Sequence, residues 1–157
     1  MGIESSKSGK RLRVHVRFTT HCFSKKYDEA THPVTEPILY DAGRRRRSFC
    51  PVRYDLSLRL PDLILGLNHL KAEVMQTAEE RNWLHSVTLD DPAGKYQIFF
   101  ELRRAPPASS ALQDLNLMVE SAYLQEPATD RRAVRGRMGF VLLCGKVYLG
   151  EPVATRR

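Results

Sequence analysis

The sequence predicts an α+β fold, with a mainly antiparallel β-sheet of four to five strands and one principal amphipathic helix packed on it. Several stretches alternate apolar and polar residues with a period of two, as strands with one buried face do. The stretch 60–74 instead spaces its aliphatic residues three and four apart, as one face of a helix does. No linker of distinct composition divides the chain, so residues 1–157 are expected to form a single domain.

The first predicted strand is 11–19, and a flexible basic tail, residues 1–10, is expected to precede it. One face of this strand is apolar, and the other carries a row of cationic and imidazole side chains: Arg11, Arg13, His15 and Arg17. Neighbours in such a row lie about 6–7 Å apart, which is comparable to the spacing of backbone phosphates. The row therefore indicates either a phosphate-binding face or an ordinary exposed face whose cations pair with carboxylates on neighbouring strands.

The next prominent feature is a run of four adjacent arginines: Arg44, Arg45, Arg46 and Arg47. Adjacent guanidinium groups repel one another and cannot be buried together, so this run is predicted to be an exposed loop. Because arginine can donate two hydrogen bonds to one phosphate, the loop is either a phosphate clamp or a solvated basic loop.

The principal helix is predicted between Ser48 and Val74. Leu60, Leu63, Ile64 and Leu67 share one face of it, and Pro61 suits the first turn of a helix. This apolar stripe is expected to pack against the sheet.

The remaining strands come after the helix. A hairpin is predicted from 85–89 and 96–102, joined by a turn at 90–95 that contains proline and glycine. A third strand is expected at 115–123. A fourth is expected at 137–144, where both faces are apolar as in a central strand, and residues 152–157 are expected to be a frayed tail.

Charge is distributed unevenly along the chain. Residues 1–53 carry 12 Lys and Arg against 5 Asp and Glu, and residues 54–157 carry 13 against 13. An excess of positive charge concentrated in one third of the chain favours a polyanionic partner, with nucleic acid first. The predicted nucleic-acid-binding residues are Arg11, Arg13, His15, Arg17, Arg44, Arg45, Arg46, Arg47 and Arg53.

Three cysteines without a CxxC pair favour a reducing compartment. No apolar run has the length of a transmembrane helix, and residues 1–10 lack the apolar region of a secretory signal, so a cytoplasmic protein without a membrane partner is expected.

The candidate zinc ligands are His21, Cys22, His32 and Cys50, but their spacings match no structural zinc pattern. We therefore predict neither a metal nor a cofactor.

No nucleotide-binding or hydrolase motif is present, which makes nucleotide-driven chemistry an unfavoured class. The remaining polar residues suit metal-independent RNA cleavage, in which a base takes the ribose 2′-hydroxyl proton and arginine stabilises the charged transition state. The candidate catalytic residues are His21, His85, Tyr96, Arg103 and Tyr123. The alternative for each is a structural role, with the tyrosines in the core and His85 as a hydrogen-bonded histidine.

The run 94–100, Gly-Lys-Tyr-Gln-Ile-Phe-Phe, is similar to a strand that often reads G-x-Y-R-I in RelE-type and related barnase/colicin-like ribonuclease toxins. That resemblance implies ribonuclease activity and loosely maps Tyr96 and Arg103 onto catalytic positions, although Gln97 replaces the arginine. The pieces at 21–24, 53–57 and 121–123 resemble small proteins of mobile elements, some labelled "stationary phase growth adaptation protein". This second resemblance covers most of the chain and implies no activity.

Three hypotheses follow. The first is an RNA-binding, toxin-like growth modulator, a metal-independent endoribonuclease if it is an enzyme, with RNA preferred over DNA and a cognate protein inhibitor as a second partner. Another is a non-catalytic nucleic-acid-binding accessory protein of a mobile element. The third is a protein-interaction or regulatory module that uses the leucine-rich helix or a sheet edge.

Overall fold

The computed structural model describes residues 1–77, 82–89, 94–125 and 134–153. In chain order, its strands and α-helices are β1 Gly2–Ser5, β2 Lys10–Phe18, β3 Ser24–Lys26, β4 Leu39–Tyr40, β5 Arg46–Phe49, α1 Pro51–Ser57, α2 Leu60–Gly66, β6 Glu73–Thr77, β7 Asn82–Leu89, β8 Gly94–Arg104, β9 Leu115–Leu124, β10 Val134–Gly139 and α3 Phe140–Leu149. Two 3-10 turns, Thr20–Cys22 and Pro107–Ser109, complete the regular structure of these residues. Within them, no helix combines the length and the apolar character that crossing a bilayer requires.

Seven strands form one mixed, curled sheet that resembles half of a barrel, in the order β1-β2-β9-β8-β7-β6-β10. The pairing of β2 with β9 is parallel, and the other pairings in this sheet are antiparallel. A second, three-stranded sheet has the order β3-β5-β4. The predicted fold class, an antiparallel sheet of four to five strands with one main helix, is therefore wrong.

The core lies on the face of the large sheet that the helices cover. Leu60 and Ile64 of α2 are fully buried there, as are Leu67 just after α2 and Phe140 and Leu143 of α3. The rings of Phe100 and Phe140 meet edge to face at 5.9 Å. Burial of each such side chain stabilises the fold by roughly 1.5–3 kcal/mol, so these two helices fix the curled sheet.

The other face of the sheet carries a mixed set of buried residues. Phe99 and Leu84 face each other across β8 and β7 and are 2% and 4% exposed. Gln97 and Glu101, also on β8, are buried on the same side by strand alternation. The central strand β8 is thus enclosed on both sides, which explains why its whole middle is buried.

Several element predictions are confirmed. Strand β2 carries the predicted alternation, with Leu12 and Val14 buried and Arg11, Arg13 and His15 exposed. The hairpin β7–β8 and the strand β9 also form as expected. The turn residues 90–93 and the end of the frayed tail, 154–157, lie outside the described residues.

The predicted fourth strand is wrong beyond Gly139, because the apolar run 140–149 is the helix α3. Gly150 ends this helix in the left-handed conformation, with φ of 72°, a conformation that glycine adopts without steric cost. An apolar run with no clear period suits a buried helix as well as a central strand. Its ten residues are the length at which a helix becomes the better interpretation.

The single predicted helix is two helices. The chain breaks between α1 and α2 at Leu58 and Arg59, because Pro61 lacks the N–H that would continue the helical hydrogen bonding to the carbonyl of Ser57. Arg46 and Arg47 belong to strand β5 and not to a loop. The predicted tail also contains a strand, since β1 pairs with β2.

Candidate functional site

A cleft of about 510 Å³ lies where β2 ends beside β9. It is lined by residues 17–21 and 41–43, by Arg45, and by Met118 and Glu120 of β9. We call it the His21 cleft. Strand β2 ends at Phe18, the 3-10 turn Thr20–Cys22 follows, and the loop between β4 and β5 forms the opposite wall.

The base of that wall is Asp41, whose side chain is only 4% exposed. Its carboxylate accepts hydrogen bonds from the backbone N–H groups of Gly43 and Arg45 at 2.8 and 2.9 Å. Arg45 Nε donates at 2.8 Å, and His21 Nε2 lies 3.1 Å away. These donors, the Arg45 backbone N–H first, hold the pKa of Asp41 far below its usual range. Asp41 is therefore an anion that organises both the loop and the imidazole.

His21 is fixed from several directions. The Thr19 hydroxyl accepts a bond from the His21 backbone N–H at 3.2 Å and donates to the carbonyl of Glu120 at 2.6 Å. Because an ionised carboxylate can only accept, His21 Nε2 must carry the hydrogen that points to Asp41. The neutral ring then has its lone pair on Nδ1. The geometry is that of a histidine oriented by a buried carboxylate.

The cleft also contains cationic and aromatic side chains at its rim. Arg17 is exposed and forms no ion pair within the described part of the chain. Phe18 is 44% exposed, which is unusual for a phenylalanine. Arg44, beside the cleft, is exposed and adopts a positive φ of 59° in the turn that Asp41 closes. The acidic side chains that line this cleft are those of Asp41 and Glu120.

The predicted basic residues divide into two groups. Some are held by the protein itself: Arg11 lies 3.4 Å from Glu4, Arg13 lies 3.1 Å from Asp114, and Arg45 bonds Asp41. Arg47 and Arg53 both donate to the carbonyl of Ser24, at 3.1 and 2.9 Å, and Arg46 lies over the ring of Tyr27. The second group projects into solvent, and its members are His15, Arg17 and Arg44.

The other predicted catalytic residues do not gather around His21. Tyr96 is fully buried, its hydroxyl has no hydrogen-bond partner among the described residues, and burial raises its pKa. His85 Nδ1 lies 3.0 Å from the carbonyl of Glu73, and burial lowers the pKa of its imidazole. Arg103 pairs with Glu101 at 2.6 Å, and Tyr123 stacks on Phe99. Of these described side chains, none lines the His21 cleft.

Among the described residues, no group of three or more His, Cys, Asp and Glu side chains could hold a metal ion. His32, one of the residues weighed as a zinc ligand, uses both ring nitrogens within the protein, at 3.0 Å from Ser48 Oγ and 3.0 Å from the Glu36 carbonyl.

Sequence reasoning identified His21, Arg17 and Arg45 but missed Asp41 and Phe18. The order Asp-Ala-Gly at 41–43 is a signal that could have found Asp41, because aspartate two residues before glycine often bonds the backbone of its own turn. Phe18 gave no such signal, since it continues the apolar row of β2 and only the end of the strand exposes it.

Comparison with known proteins places the chain in a family. The model of the YjaZ family matches residues 2–148, and the chain belongs to that family. A similar curated protein is Protein YjaZ of Escherichia coli strain K12, which is 28% identical over 118 residues. The match covers 71% of this chain and 59% of the relative, so the chain spans about three-fifths of that protein's length. No solved structure matches the chain.

These findings correct the expected resemblances. The family found is neither the RelE-type and barnase/colicin-like ribonuclease toxins nor the mobile-element group. The run 94–100 gave a wrong resemblance to ribonuclease toxins, because an alternating strand with one tyrosine is common to many β-sheets. In this fold Tyr96 is buried in the core, where it cannot reach a substrate.

Proposed function

We propose that this protein binds single-stranded RNA at the His21 cleft. The observation that supports this most directly is the position of Phe18 beside Arg17 at the cleft rim, where an aromatic ring and a guanidinium group are both exposed. Proteins that bind single strands combine cationic side chains that contact phosphates with aromatic rings on which bases stack. Arg17 supplies the cationic group and Phe18 supplies the aromatic ring.

Neighbouring cations extend this surface. His15 lies two residues before Arg17 on the same exposed face of β2. The largely exposed side chain of Arg45, at 75%, lines the opposite wall of the cleft, and the exposed Arg44 precedes it in the chain. A strand of phosphates that enters along β2 would therefore meet positive charge on both sides.

RNA is favoured over DNA because its unpaired loops and ends present splayed bases that can stack on an exposed ring. A duplex keeps its bases stacked inside and offers none to Phe18. The cationic groups that Arg11, Arg13 and Arg53 direct into the protein's own contacts are not part of this surface, so the site is smaller than the charge of the sequence suggests.

The test is fluorescence anisotropy of a labelled single-stranded RNA of mixed sequence over a series of salt concentrations. The affinity should fall with salt, and Arg17→Gln should reduce the slope of log K against log salt by about 0.7, the value for one phosphate contact on a single strand. Phe18→Ala should weaken binding by about 1–3 kcal/mol with the slope unchanged.

Lys71→Gln is the charge-matched control, because Lys71 is exposed and does not line the cleft. It should leave both the affinity and the slope as in the parent protein. Binding that is absent at low salt, or that Lys71→Gln weakens as much as Arg17→Gln does, would contradict the proposal.

A further inference from the structure

We propose that the His21 cleft cleaves the RNA it binds, with His21 Nδ1 as the group that moves the proton of the ribose 2′-hydroxyl. This inference rests on the proposed RNA binding and adds a catalytic step to it. Three features carry it: the oriented imidazole, the buried anion behind it, and the two guanidinium groups that line the same space.

The imidazole is prepared for proton transfer. Its Nε2 is 3.1 Å from the Asp41 carboxylate, which also has three other donors and so keeps its position. That bond selects the tautomer in which Nδ1 is the basic nitrogen, and no described group donates to Nδ1 or accepts from it. The His21 ring lines the cleft and its side chain is 26% exposed. Asp41 is thus a positioning residue, and His21 is the residue that would touch the substrate.

The charged groups around the imidazole favour an anionic transition state. Arg45 uses Nε for Asp41, and its terminal nitrogens have no hydrogen-bond partner among the described residues, with the side chain 75% exposed. Arg17 of β2 and Glu120 of β9 line the same cleft. The two guanidinium groups can stabilise the extra negative charge that develops on a pentacovalent phosphate.

The reaction needs no co-reactant. The ribose 2′-oxygen forms a bond to the adjacent phosphorus, and the bond from phosphorus to the 5′-oxygen of the next nucleotide breaks. The 2′-hydroxyl proton passes to His21 Nδ1 and is then delivered to the departing 5′-oxygen, so the enzyme returns to its starting state. The products are a 2′,3′-cyclic phosphate and a 5′-hydroxyl end.

The experiment incubates the full chain with fluorescein-labelled single-stranded RNA in EDTA and identifies the product ends. His21→Gln is the informative variant, because the glutamine amide can still donate to Asp41 but has no basic nitrogen. It should reduce the cleavage rate by about a hundredfold or more, while its affinity for uncleaved RNA remains that of the parent protein. His69→Gln, at an exposed histidine after α2, should cleave at the parental rate.

A second variant tests the role of Asp41. Asp41→Asn removes the anion that fixes the orientation and tautomer of the His21 ring, so kcat should fall while the affinity for uncleaved RNA stays that of the parent protein. A purely structural contact would lower the amount of folded protein and leave kcat of the folded fraction unchanged.

The outcomes separate the two proposals. Parent protein that binds the RNA but leaves it intact, or His21→Gln that cleaves as the parent does, would overturn the catalytic inference and leave RNA binding in place. Parent protein that neither binds nor cleaves would overturn both. Cleavage that yields 3′-phosphate and 5′-hydroxyl ends without any cyclic phosphate during the reaction would also overturn the inference.

Discussion

Asp41 and Asp114 are both buried aspartates with a lowered pKa, but their hydrogen-bond partners differ. Each has a side chain that is 4% exposed, and in each the pKa lies far below its usual range. Asp114 is held by the side chains of Arg13 and Lys10, at 3.1 and 2.8 Å, whereas Asp41 is held by one arginine and by His21.

The difference decides what each carboxylate can do. Both cationic partners of Asp114 stay charged at any physiological pH, so its contacts are a fixed tie between β2 and the segment before β9. One partner of Asp41 is the imidazole of His21, whose other ring nitrogen has no described partner. A buried carboxylate therefore has a different role at each end of β2. Asp114 ties the start of the strand to the segment before β9, and Asp41 orients the imidazole of His21 near its end.

The largest effect is expected from Asp114→Asn. The change leaves Lys10, Arg13 and the Arg13 backbone N–H with a weaker acceptor, and the free energy of unfolding should fall by about 2 kcal/mol. This figure is below that for a fully buried ion pair, because the two cationic side chains are 44% and 46% exposed and are screened by water. Urea denaturation measures it, with Glu29→Gln at an exposed carboxylate as the control. Equal stability of Asp114→Asn and Glu29→Gln would show that Asp114 stabilises the fold no more than an exposed carboxylate does.

A smaller loss of stability is expected from Asp41→Asn. Its contacts are within the hairpin between β4 and β5 and the adjacent turn, so the global midpoint should fall less than in Asp114→Asn. The local consequence should be clear, because the amides of Gly43 and Arg45 lose their carboxylate acceptor. Hydrogen exchange should therefore become faster at these two amides and remain unchanged in β8. Uniformly faster exchange throughout the large sheet would contradict the assignment of Asp41 to a local role.

The smallest effect is a difference in acid sensitivity. Both carboxylates have a folded pKa below their ordinary value of 3.8, so their stabilisation is complete above that pH and is lost as the pH falls towards the folded pKa. The urea midpoint of the parent should therefore decrease below about pH 4, and Asp114→Asn should decrease less steeply. Parallel curves for the two proteins would show that Asp114 does not contribute to this loss.

Part of this molecule could be predicted from its sequence. The strands β2, β8 and β9 alternate apolar and polar residues over most of their length, because each directs one set of side chains into the core, although the middle of β8 is buried on both faces and a register shift interrupts the alternation of β9. The parallel pairing of β2 with β9 could not be predicted, because antiparallel and parallel partners impose the same alternation on a strand. Helix α3 was missed because its apolar residues cover most of its circumference, which removes the period that distinguishes helix from strand.

The residues of the candidate site could also be predicted only in part. His21 and Arg17 could be chosen by residue type, but four of the five candidate catalytic residues lie elsewhere, since type alone does not reveal which side chains share a cavity. Arg13 and Arg53 show the same limit for charge. The sequence counts them as available cations, and the fold uses them as donors to Asp114 and to the Ser24 carbonyl.

The parallel ladder between β2 and β9 has a consequence for synthesis of the chain. Its strands are separated by about a hundred residues, as the 101-residue interval from Arg13 to Asp114 shows. At a translation rate of 5–20 residues per second, β2 leaves the ribosome roughly 5–20 s before its neighbour exists. During that interval β1 can pair with one edge of β2 as a hairpin. The other edge of β2 and its apolar side chains remain exposed to solvent. The nascent amino-terminal hairpin is therefore the segment that a ribosome-associated chaperone would need to shield.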